Sequence, residues 1–237
     1  MNNFKLLPSY EEFINKHEGE TACVVGAGTS LFEADLDFIH NSVVFSVNSS
    51  ILLMPWESGS SDKRYWVSND AGVTKWTYWE KVMSSKCNKI IRNSWEKNYN
   101  GFDLTDFYKF CPRPTSEDII NENDIGLAYC SSVPSSVDLA IQMGCKRIFI
   151  FGADQYMVNN KSHFWEYWPI KDRPRRGFIL NPDNYNTQNY AFGFNIKAYK
   201  ALKKFAGFKD CKIYNCNPNS RVKHFPYITI DDARNMI

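Results

Sequence analysis

A helix followed directly by a short apolar strand, over residues 134–151, constrains the fold of this chain more narrowly than any other feature. The helix has Pro134 at its start and Gly144 just past its end, which is the usual asymmetry of helix termini. The strand Arg147–Phe151 is apolar at every position after its first. Such continuous apolar strands are typical of parallel sheets that are buried on both faces. A helix leading into a buried strand therefore indicates an α/β fold.

Other strand-sized apolar segments alternate with helices along the chain. Strands are predicted at residues 22–25, 43–47, 65–68, 89–92 and 212–215, and helices at 74–83 and 190–205. This alternation predicts an α/β fold with a mainly parallel sheet flanked by helices. The length of 237 residues predicts a single domain over residues 1–237. Residues 155–188 are polar, aromatic and proline-rich without periodicity, and such long segments are usually functional or disordered.

Charge and composition argue against several classes of protein. The 28 Lys and Arg against 26 Asp and Glu give a net charge of +2, which argues against a dedicated nucleic-acid-binding protein. No apolar run approaches the ~20 residues that a membrane helix requires. The seven cysteines include no CxxC pair and no zinc-type spacing. Since the N-terminal residues also lack a signal-peptide pattern, we expect a reducing, cytoplasmic location.

A glycine-rich turn after the first strand is the first candidate for a ligand site. It contains Gly26, Gly28, Thr29 and Ser30. Glycines let the backbone approach an anion, and the N–H groups of a helix start can hold a phosphate together with a serine hydroxyl. The pattern is neither a complete dinucleotide fingerprint nor a P-loop. A phosphate cradle and a plain tight turn are therefore both open interpretations.

Two further groups stand where ligands bind in parallel sheets, beyond the carboxyl ends of strands. Ser131 and Ser132 open the helix before the strand Arg147–Phe151, and their hydroxyls suit either an anion or a helix cap. Asp154 follows that strand, and its carboxylate suits ribose hydroxyls, a divalent metal or a substrate amine. The alternative is an aspartate that only shapes the turn, but the position at a strand end favours a functional role.

Residues 155–188 carry a histidine and a basic cluster. His163 is a candidate general base or acid, because histidine titrates near neutral pH, although a single loop histidine more often has no such role. The cluster consists of Lys171, Arg173, Arg175 and Arg176. Its arginines can clamp a phosphate, but an exposed charged loop is the interpretation that we favour.

Three stretches carry motifs that occur together, in this order, in a known superfamily. Residues 23–31 read Cys-Val-Val-Gly-Ala-Gly-Thr-Ser-Leu, residues 131–154 join a hydroxyl pair to a helix and a strand ending in Gly-Ala-Asp, and residues 212–220 read Lys-Ile-Tyr-Asn-Cys-Asn-Pro-Asn-Ser. These stretches resemble the bacterial CMP-sialic-acid-dependent sialyltransferases and the related family that includes the archaeal hydroxymethylpterin diphosphokinase. Ser-His-Phe-Trp at residues 162–165 and Phe-Pro at 225–226 are similar to an uncharacterised phage-type branch, which is closer still.

The resemblance implies a Rossmann-like sheet with a lid inserted after the Gly-x-Asp strand; residues 155–188 are called the lid segment below. We expect it to be open or poorly ordered without ligand. Residues 190–195 contain no histidine, where the sialyltransferases have a catalytic one, and Ala27 replaces their asparagine. The predicted catalytic residues are therefore His163 and Asp154, and any metal ligand is unknown. The predicted nucleotide-binding residues are Gly26, Gly28, Thr29, Ser30, Asn48, Ser131, Ser132, Tyr156, Asn217 and Ser220.

Three functions are compatible with the sequence. The favoured one is a nucleotide-dependent transferase, most simply glycosyltransferase-like, that uses a nucleotide-activated sugar (of CMP-sugar type by the resemblance) and an acceptor that the sequence does not identify. The second is an ATP-dependent diphosphokinase-like enzyme, which needs Mg²⁺ with Asp154 and Asp70 as ligands. The third is a non-catalytic phage or cell-surface assembly accessory that keeps the fold, and a phage-encoded protein would act in the host cytoplasm.

Overall fold

The computed structural model describes residues 12–54, 61–92, 101–104, 107–110, 113–114, 127–128, 131–176 and 186–237. Its strands and helices follow in the order β1 (Thr21–Val25), β2 (Val43–Val47), β3 (Arg64–Ser68), α1 (Trp79–Ser84), β4 (Asn88–Arg92), β5 (Phe107–Phe110), β6 (Arg113–Pro114), β7 (Leu127–Ala128), α2 (Ser132–Gln142), β8 (Arg147–Phe151), α3 (Asn186–Phe208), β9 (Lys212–Asn215) and α4 (Ile230–Met236). Short 3₁₀ helices connect several of them, including Thr29–Leu31, Asn48–Leu53, Ala71–Lys75 and Phe164–Tyr167.

Seven of the described strands form one sheet in the order β5-β4-β3-β2-β1-β8-β9. Every pairing in it is parallel. The chain builds the sheet outward from β1 to β5 and then returns to add β8 on the other side of β1. The strand order therefore reverses between β1 and β8, which is where open α/β sheets bind ligands, beyond the carboxyl ends of the strands. The predicted Rossmann-like α/β fold with a parallel sheet is confirmed.

Burial on both faces of the sheet explains why its central strands β1, β2 and β8 are mostly apolar. In β8, Ile148 and Ile150 pack into a cluster that contains residues of α2 and α3. Phe149 and Phe151 alternate with them and pack into a second cluster on the opposite face. Successive side chains of a strand point to opposite faces, so one strand contributes to two apolar layers. The second layer includes Phe164 and Trp165 of the lid segment.

The single helix predicted over residues 74–83 is wrong in its first half, because α1 covers only residues 79–83 of it. The structure has the 3₁₀ helix Ala71–Lys75 and then the short helix α1. Asp70 starts the 3₁₀ helix, because its carboxylate accepts a hydrogen bond from Gly72 N at 2.8 Å. Between the two helices, Thr77 N donates to Arg175 O at 2.9 Å. A contact with the lid segment thus interrupts the helix.

Helix length and hydropathy bear on membrane crossing. No helix in the described part of the chain is both long enough and apolar enough to cross a membrane.

Candidate functional site

The glycine-rich turn after β1 lies against the residues that follow β8. Gly26 N donates to Phe151 O at 2.8 Å, and Gly28 N donates to Gly152 O at 2.9 Å. A Cβ atom on Gly26 would lie 2.5 Å from Gly152 O. A Cβ atom on Gly28 would lie 2.6 Å from Asp154 Cγ. The close approach of two loops therefore requires both glycines, whether or not a ligand also approaches them.

Asp154 ties the glycine-rich turn to the rest of the site. It is 2% exposed. Its carboxylate accepts hydrogen bonds from Thr29 Oγ1 at 3.0 Å, from both Ser30 N at 2.8 Å and Ser30 Oγ, and from Asn217 Nδ2 at 2.7 Å. These donors satisfy a buried charge that would be costly to leave unpaired. Thr29 and Ser30 thus direct their hydroxyls at Asp154.

The turn after β9 packs on the same aspartate. Ser220 Oγ donates to Ala153 O at 2.7 Å, and Arg221 N donates to Asp154 O at 3.0 Å. Asn217 and Ser220 are 6% and 0% exposed. The structure therefore brings together the predicted residues of the first, eighth and ninth strand ends around Asp154. Asn217 and Ser220 shape this corner through bonds to Asp154 and its neighbour.

A second polar group lies at the ends of β2 and β3 and at the start of α2. Asn69 N donates to Ser132 Oγ at 2.7 Å, and Asn69 Nδ2 donates to Ser135 Oγ at 2.9 Å. Ser132 Oγ also makes a long, 3.5 Å contact to Asn48 Oδ1. Asn48 has a φ of +52°, in the left-handed region where asparagine is enriched. Asn69 was missing from the predicted set, although it follows an apolar strand just as Asn48 does.

Ser131 is the predicted hydroxyl that is best placed for an anion. It is the N-cap residue of α2, but its side chain makes no capping hydrogen bond, and it is half-buried. The helix that it precedes has 11 residues. The first N–H groups of a helix lack partners within the helix and attract anions. Ser131 thus stands beside the N–H groups of Ser132 and Val133 at the carboxyl edge of the sheet.

The described part of the lid segment, residues 155–176, packs against the glycine-rich turn and the end of β2. Phe164 N donates to Ala27 O at 3.1 Å, and Phe164 is fully buried. Trp165 Nε1 donates to Ser49 Oγ at 3.1 Å. The sequence predicts a lid that is open or poorly ordered, whereas this part of the lid segment is packed against the sheet. Phe164 and Trp165 complete the apolar layer on that face.

His163 immediately precedes the 3₁₀ helix Phe164–Tyr167 and is held on several sides. Its ring stacks on Trp165, with ring centroids 5.1 Å apart and planes at 22°. Its Nδ1 lies 2.8 Å from Ser162 Oγ and 3.7 Å from Glu166 Oε2, and its side chain is 36% exposed. These neighbours engage Nδ1 of the ring.

Glu166 is a site residue that the interpretation of the sequence missed. Its carboxylate accepts hydrogen bonds from Ser162 N at 2.6 Å and from His163 N at 2.7 Å. Burial alone would raise the pKa of Glu166, but the hydrogen bonds and charge of His163 and the N–H of Ser162 outweigh burial and lower that pKa to about 2. The sequence offered one indication of this contact: Glu166 follows His163 by three residues, which is the spacing of a capping box.

Two buried polar atoms near Asp154 have no hydrogen-bond partner among the described residues: Gln155 Oε1 and Tyr199 OH. Gln155 also has a φ of +58°, which is uncommon for a residue with a side chain. Burial, with a contribution from the charge of Asp154, raises the pKa of Tyr199. Native proteins leave few buried polar atoms unpaired, which marks the surroundings of Asp154 as unusual. Tyr156, from the predicted set, is half-buried beside Gln155.

The basic cluster over residues 171–176 lies on the surface beside Thr77. Arg173 Nε donates to Trp168 O at 2.8 Å, and Arg175 N donates to Thr77 Oγ1 at 3.0 Å. Arg173 and Arg176 are half-buried, whereas Lys171 and Arg175 are exposed, so the cluster forms a surface strip.

Metal binding was the open question of the predicted site. Among the residues that the structure describes, no group of three or more His, Cys, Asp or Glu side chains is arranged to hold a metal ion. Asp70 caps a 3₁₀ helix with its carboxylate, and Asp154 accepts the hydrogen bonds given above.

Comparison with known proteins identifies a shared fold. The sequence matches no protein-family model, and it matches no curated protein. Among solved structures, the MAf glycosyltransferase from Magnetospirillum magneticum AMB-1 is similar, with a TM-score of 0.52, 10% identity, and coverage of 92% of this chain and 37% of that one. The sialyltransferase CstII from Campylobacter jejuni, in complex with the substrate analogue CMP-3FNeuAc, gives a TM-score of 0.47 at 15% identity, with coverage of 89% and 86%.

The structural neighbours are thus glycosyltransferases, and at these identities the likeness to the Magnetospirillum protein shows a common fold. This chain spans just over a third of the length of that protein.

Proposed function

We propose that this protein is a glycosyltransferase-like enzyme that uses a nucleotide-activated sugar, of CMP-sugar type. One observation supports this most: the glycine-rich turn, the start of α2 and the helix after His163 meet where the strand order reverses, in a fold shared with a glycosyltransferase. Sugar transfer needs a place for the leaving phosphate and a base for the acceptor hydroxyl. The motif resemblance described above favours a CMP-sugar over other donors.

The leaving phosphate binds, in this proposal, at the N-terminus of α2. The Ser131 hydroxyl makes no capping bond there, and helix N–H groups favour a negative charge. Asn48 lies beside Ser132 at the end of β2 and is suited to contact the nucleoside. Gly26 and Gly28 keep the turn close to the end of β8, because a side chain at either position would meet the residues that follow that strand.

Asp154 acts in this proposal as a positioning residue. Its carboxylate already accepts hydrogen bonds from Thr29, Ser30 and Asn217, so abstracting a proton would break the corner that it holds together. The hydrogen bonds around Asp154 then hold the loops of the nucleotide site in shape, through Thr29, Ser30, Asn217 and Ser220. Tyr156 lies on the lid side of that site.

His163 is the proposed general base. Ser162 and Glu166 engage its Nδ1, and Trp165 supports the ring face, which is the arrangement of a base that is oriented by its neighbours. The lid segment carries this histidine and packs over the glycine-rich turn through Phe164. A closed lid excludes water and so protects an activated sugar from hydrolysis.

A ligand panel tests the proposal. Thermal shift and calorimetry with CMP, UDP, GDP, ADP and ATP, each with and without Mg²⁺, should show binding of CMP without a metal requirement. A ligand at 100 times its Kd adds ~2.7 kcal/mol to stability, so true binding is visible in the melting temperature. Release of CMP from a CMP-sugar, stimulated by an acceptor, would then establish transfer.

The same panel distinguishes the alternatives. A preference for ATP that is lost with EDTA would contradict the proposal and favour the diphosphokinase-like reaction. A panel in which no nucleotide shifts the melting temperature would favour the non-catalytic accessory.

A further inference from the structure

A cavity of about 320 Å³ lies between the C-terminal part of α3, β9 and the chain segment around Phe225. Ligand clefts range from about 300 to 1,000 Å³, so its size suits a small molecule. None of the residues proposed for the nucleotide site lines it. Whatever this cavity holds is therefore separate from the sugar donor.

The floor of the cavity is apolar. Ala206, Ile213 and Phe225, which line it, are 4%, 4% and 6% exposed and belong to the main apolar cluster under α3. Cys211 lines it as well and is 9% exposed. An aliphatic group that covers this apolar floor removes apolar surface from water, which favours binding.

The rim of the cavity is strongly positive. Lys203 and Lys212 line it, and both are exposed. Residues 196–226 contain eight of the protein's 28 Lys and Arg but only one of its 26 Asp and Glu. A net charge of +2 for the whole chain therefore conceals a concentration of cations in the stretch that contains these two lysines, and a positive field attracts anions.

Gly207 is a further residue that lines the cavity. It is the second-last residue of α3. A Cβ atom on Gly207 would meet nothing within 4 Å, and its φ is not in the left-handed region. Neither packing nor backbone conformation requires this glycine. Its missing side chain instead leaves the mouth of the cavity open.

We propose that this cavity binds a free single-chain amphiphile with an anionic head, a phosphate or a carboxylate. The head pairs with Lys203 and Lys212, and the aliphatic tail covers the floor formed by Ala206, Ile213 and Phe225. Charge selects the head and the apolar floor selects the tail, so neither a simple anion nor an uncharged alcohol satisfies both parts.

Three probes test the two parts of this proposal on the full chain. Calorimetry with octyl phosphate, at concentrations where it is monomeric, should show saturable binding of one molecule per chain. Octanol lacks the charge and inorganic phosphate lacks the tail, so each should bind at least tenfold more weakly. Absence of octyl phosphate binding, or equal affinity for either of the other probes, would overturn the proposal.

Two sets of variants place the binding in this cavity. Gly207→Leu should fill the open space and weaken octyl phosphate binding at least tenfold without lowering the melting temperature, whereas Gly207→Ala should bind nearly as the wild type does. Lys203→Gln combined with Lys212→Gln should remove the preference for octyl phosphate over octanol. The matched control changes two exposed lysines elsewhere, Lys75→Gln and Lys86→Gln, and should keep that preference.

A vesicle assay separates the free amphiphile from a membrane surface. Phosphatidylcholine vesicles with and without phosphatidylglycerol serve as probes. Binding to anionic vesicles that Gly207→Leu leaves intact, together with unchanged octyl phosphate affinity in that variant, would identify a membrane-contact surface and overturn the cavity proposal.

Discussion

Asn217 Nδ2 donates a 2.7 Å hydrogen bond to Asp154 Oδ1, and Thr29 Oγ1 and Ser30 N donate to Oδ2 of the same carboxylate. Loops that follow β1, β8 and β9 are thus joined at one buried charge. Because three loops share it, the carboxylate has a structural role that reaches beyond contact with any ligand. The consequences for stability and for binding can be measured separately.

Replacing Asp154 by asparagine should destabilise the protein. The carboxylate accepts all of its bonds, whereas an amide would direct its NH₂ group at donors. We expect Asp154→Asn to lower the free energy of unfolding by about 2–3 kcal/mol, the range for losing bonds to a charged group and leaving donors unpaired. Urea denaturation measures this, with the exposed Asp210→Asn as control. Equal stability of Asp154→Asn and wild type would contradict the role.

A branched side chain at position 28 should damage the fold as well as the nucleotide site. The sequence alone predicts that Gly28→Val stays folded and loses only nucleotide binding, because glycine lets a backbone approach phosphate. In the structure the added Cβ would lie 2.6 Å from Asp154 Cγ. We therefore expect a loss of at least 1–3 kcal/mol, roughly the cost of overpacking. The control Gly207→Ala, in open space, should be neutral or stabilising, and a fully stable Gly28→Val protein would show that the loops can separate.

Six of the described strands could be predicted from their short apolar runs, and β2, β8 and β9 have the predicted bounds, whereas β5, β6 and β7 were not predicted. The start of helix α1 could not be predicted either, since the hydrogen bond from Thr77 to Arg175 that interrupts the predicted helix joins residues far apart in the chain. Contacts of that kind leave no local signal, and tertiary pairing overrides helix propensity.

The location of the candidate site followed from the strand ends, but the partners of its side chains did not. The sequence suggested that the hydroxyls of Thr29 and Ser30 face a phosphate, whereas both donate to Asp154, whose carboxylate is more than a hundred residues away in the chain. Glu166 was missed for a different reason. Its three-residue spacing from His163 is common in helix starts. Only the structure shows that the buried carboxylate of Glu166 contacts His163.

Ser131 and Ser132 should respond differently to alanine. Ser131 makes no capping bond, so Ser131→Ala should keep the stability of the protein and weaken nucleotide binding by roughly 1–3 kcal/mol if its hydroxyl contacts the phosphate. Ser132 accepts a bond from Asn69 N, so Ser132→Ala should lower stability by about 1–3 kcal/mol, the cost of an unpaired buried donor. Calorimetry and urea denaturation give both values. Unchanged nucleotide affinity in Ser131→Ala would remove the start of α2 from the phosphate site.

The buried carboxylate of Glu166 should make stability depend on pH in the acidic range. Its pKa is lowered from the ordinary 4.5 to about 2, so its contribution is fully present above pH 4.5 and is lost as pH falls towards 2. The contribution is at most roughly 3 kcal/mol, from 1.36 kcal/mol per pKa unit. The stability difference between wild type and Glu166→Gln should therefore be largest above pH 5 and shrink by pH 3. Glu80→Gln, at an exposed glutamate, serves as control, and a difference that is constant with pH would contradict the lowered pKa.

Loss of His163 should affect chemistry far more than binding. Its Nδ1 is engaged by Ser162 and Glu166, which leaves Nε2 for the acceptor hydroxyl, while the proposed phosphate site at α2 does not depend on the imidazole. We expect His163→Ala to lower turnover by ~10²–10⁴, the usual range for removing a general base, with nucleotide affinity nearly unchanged. Initial rates with a CMP-sugar and calorimetry with CMP measure the two quantities, and His40→Ala, at a half-buried histidine, is the matched control. Full turnover by His163→Ala on an identified acceptor would exclude this histidine as the base. A parallel loss of affinity and turnover would instead mean that the ring, stacked on Trp165, holds the lid segment in place.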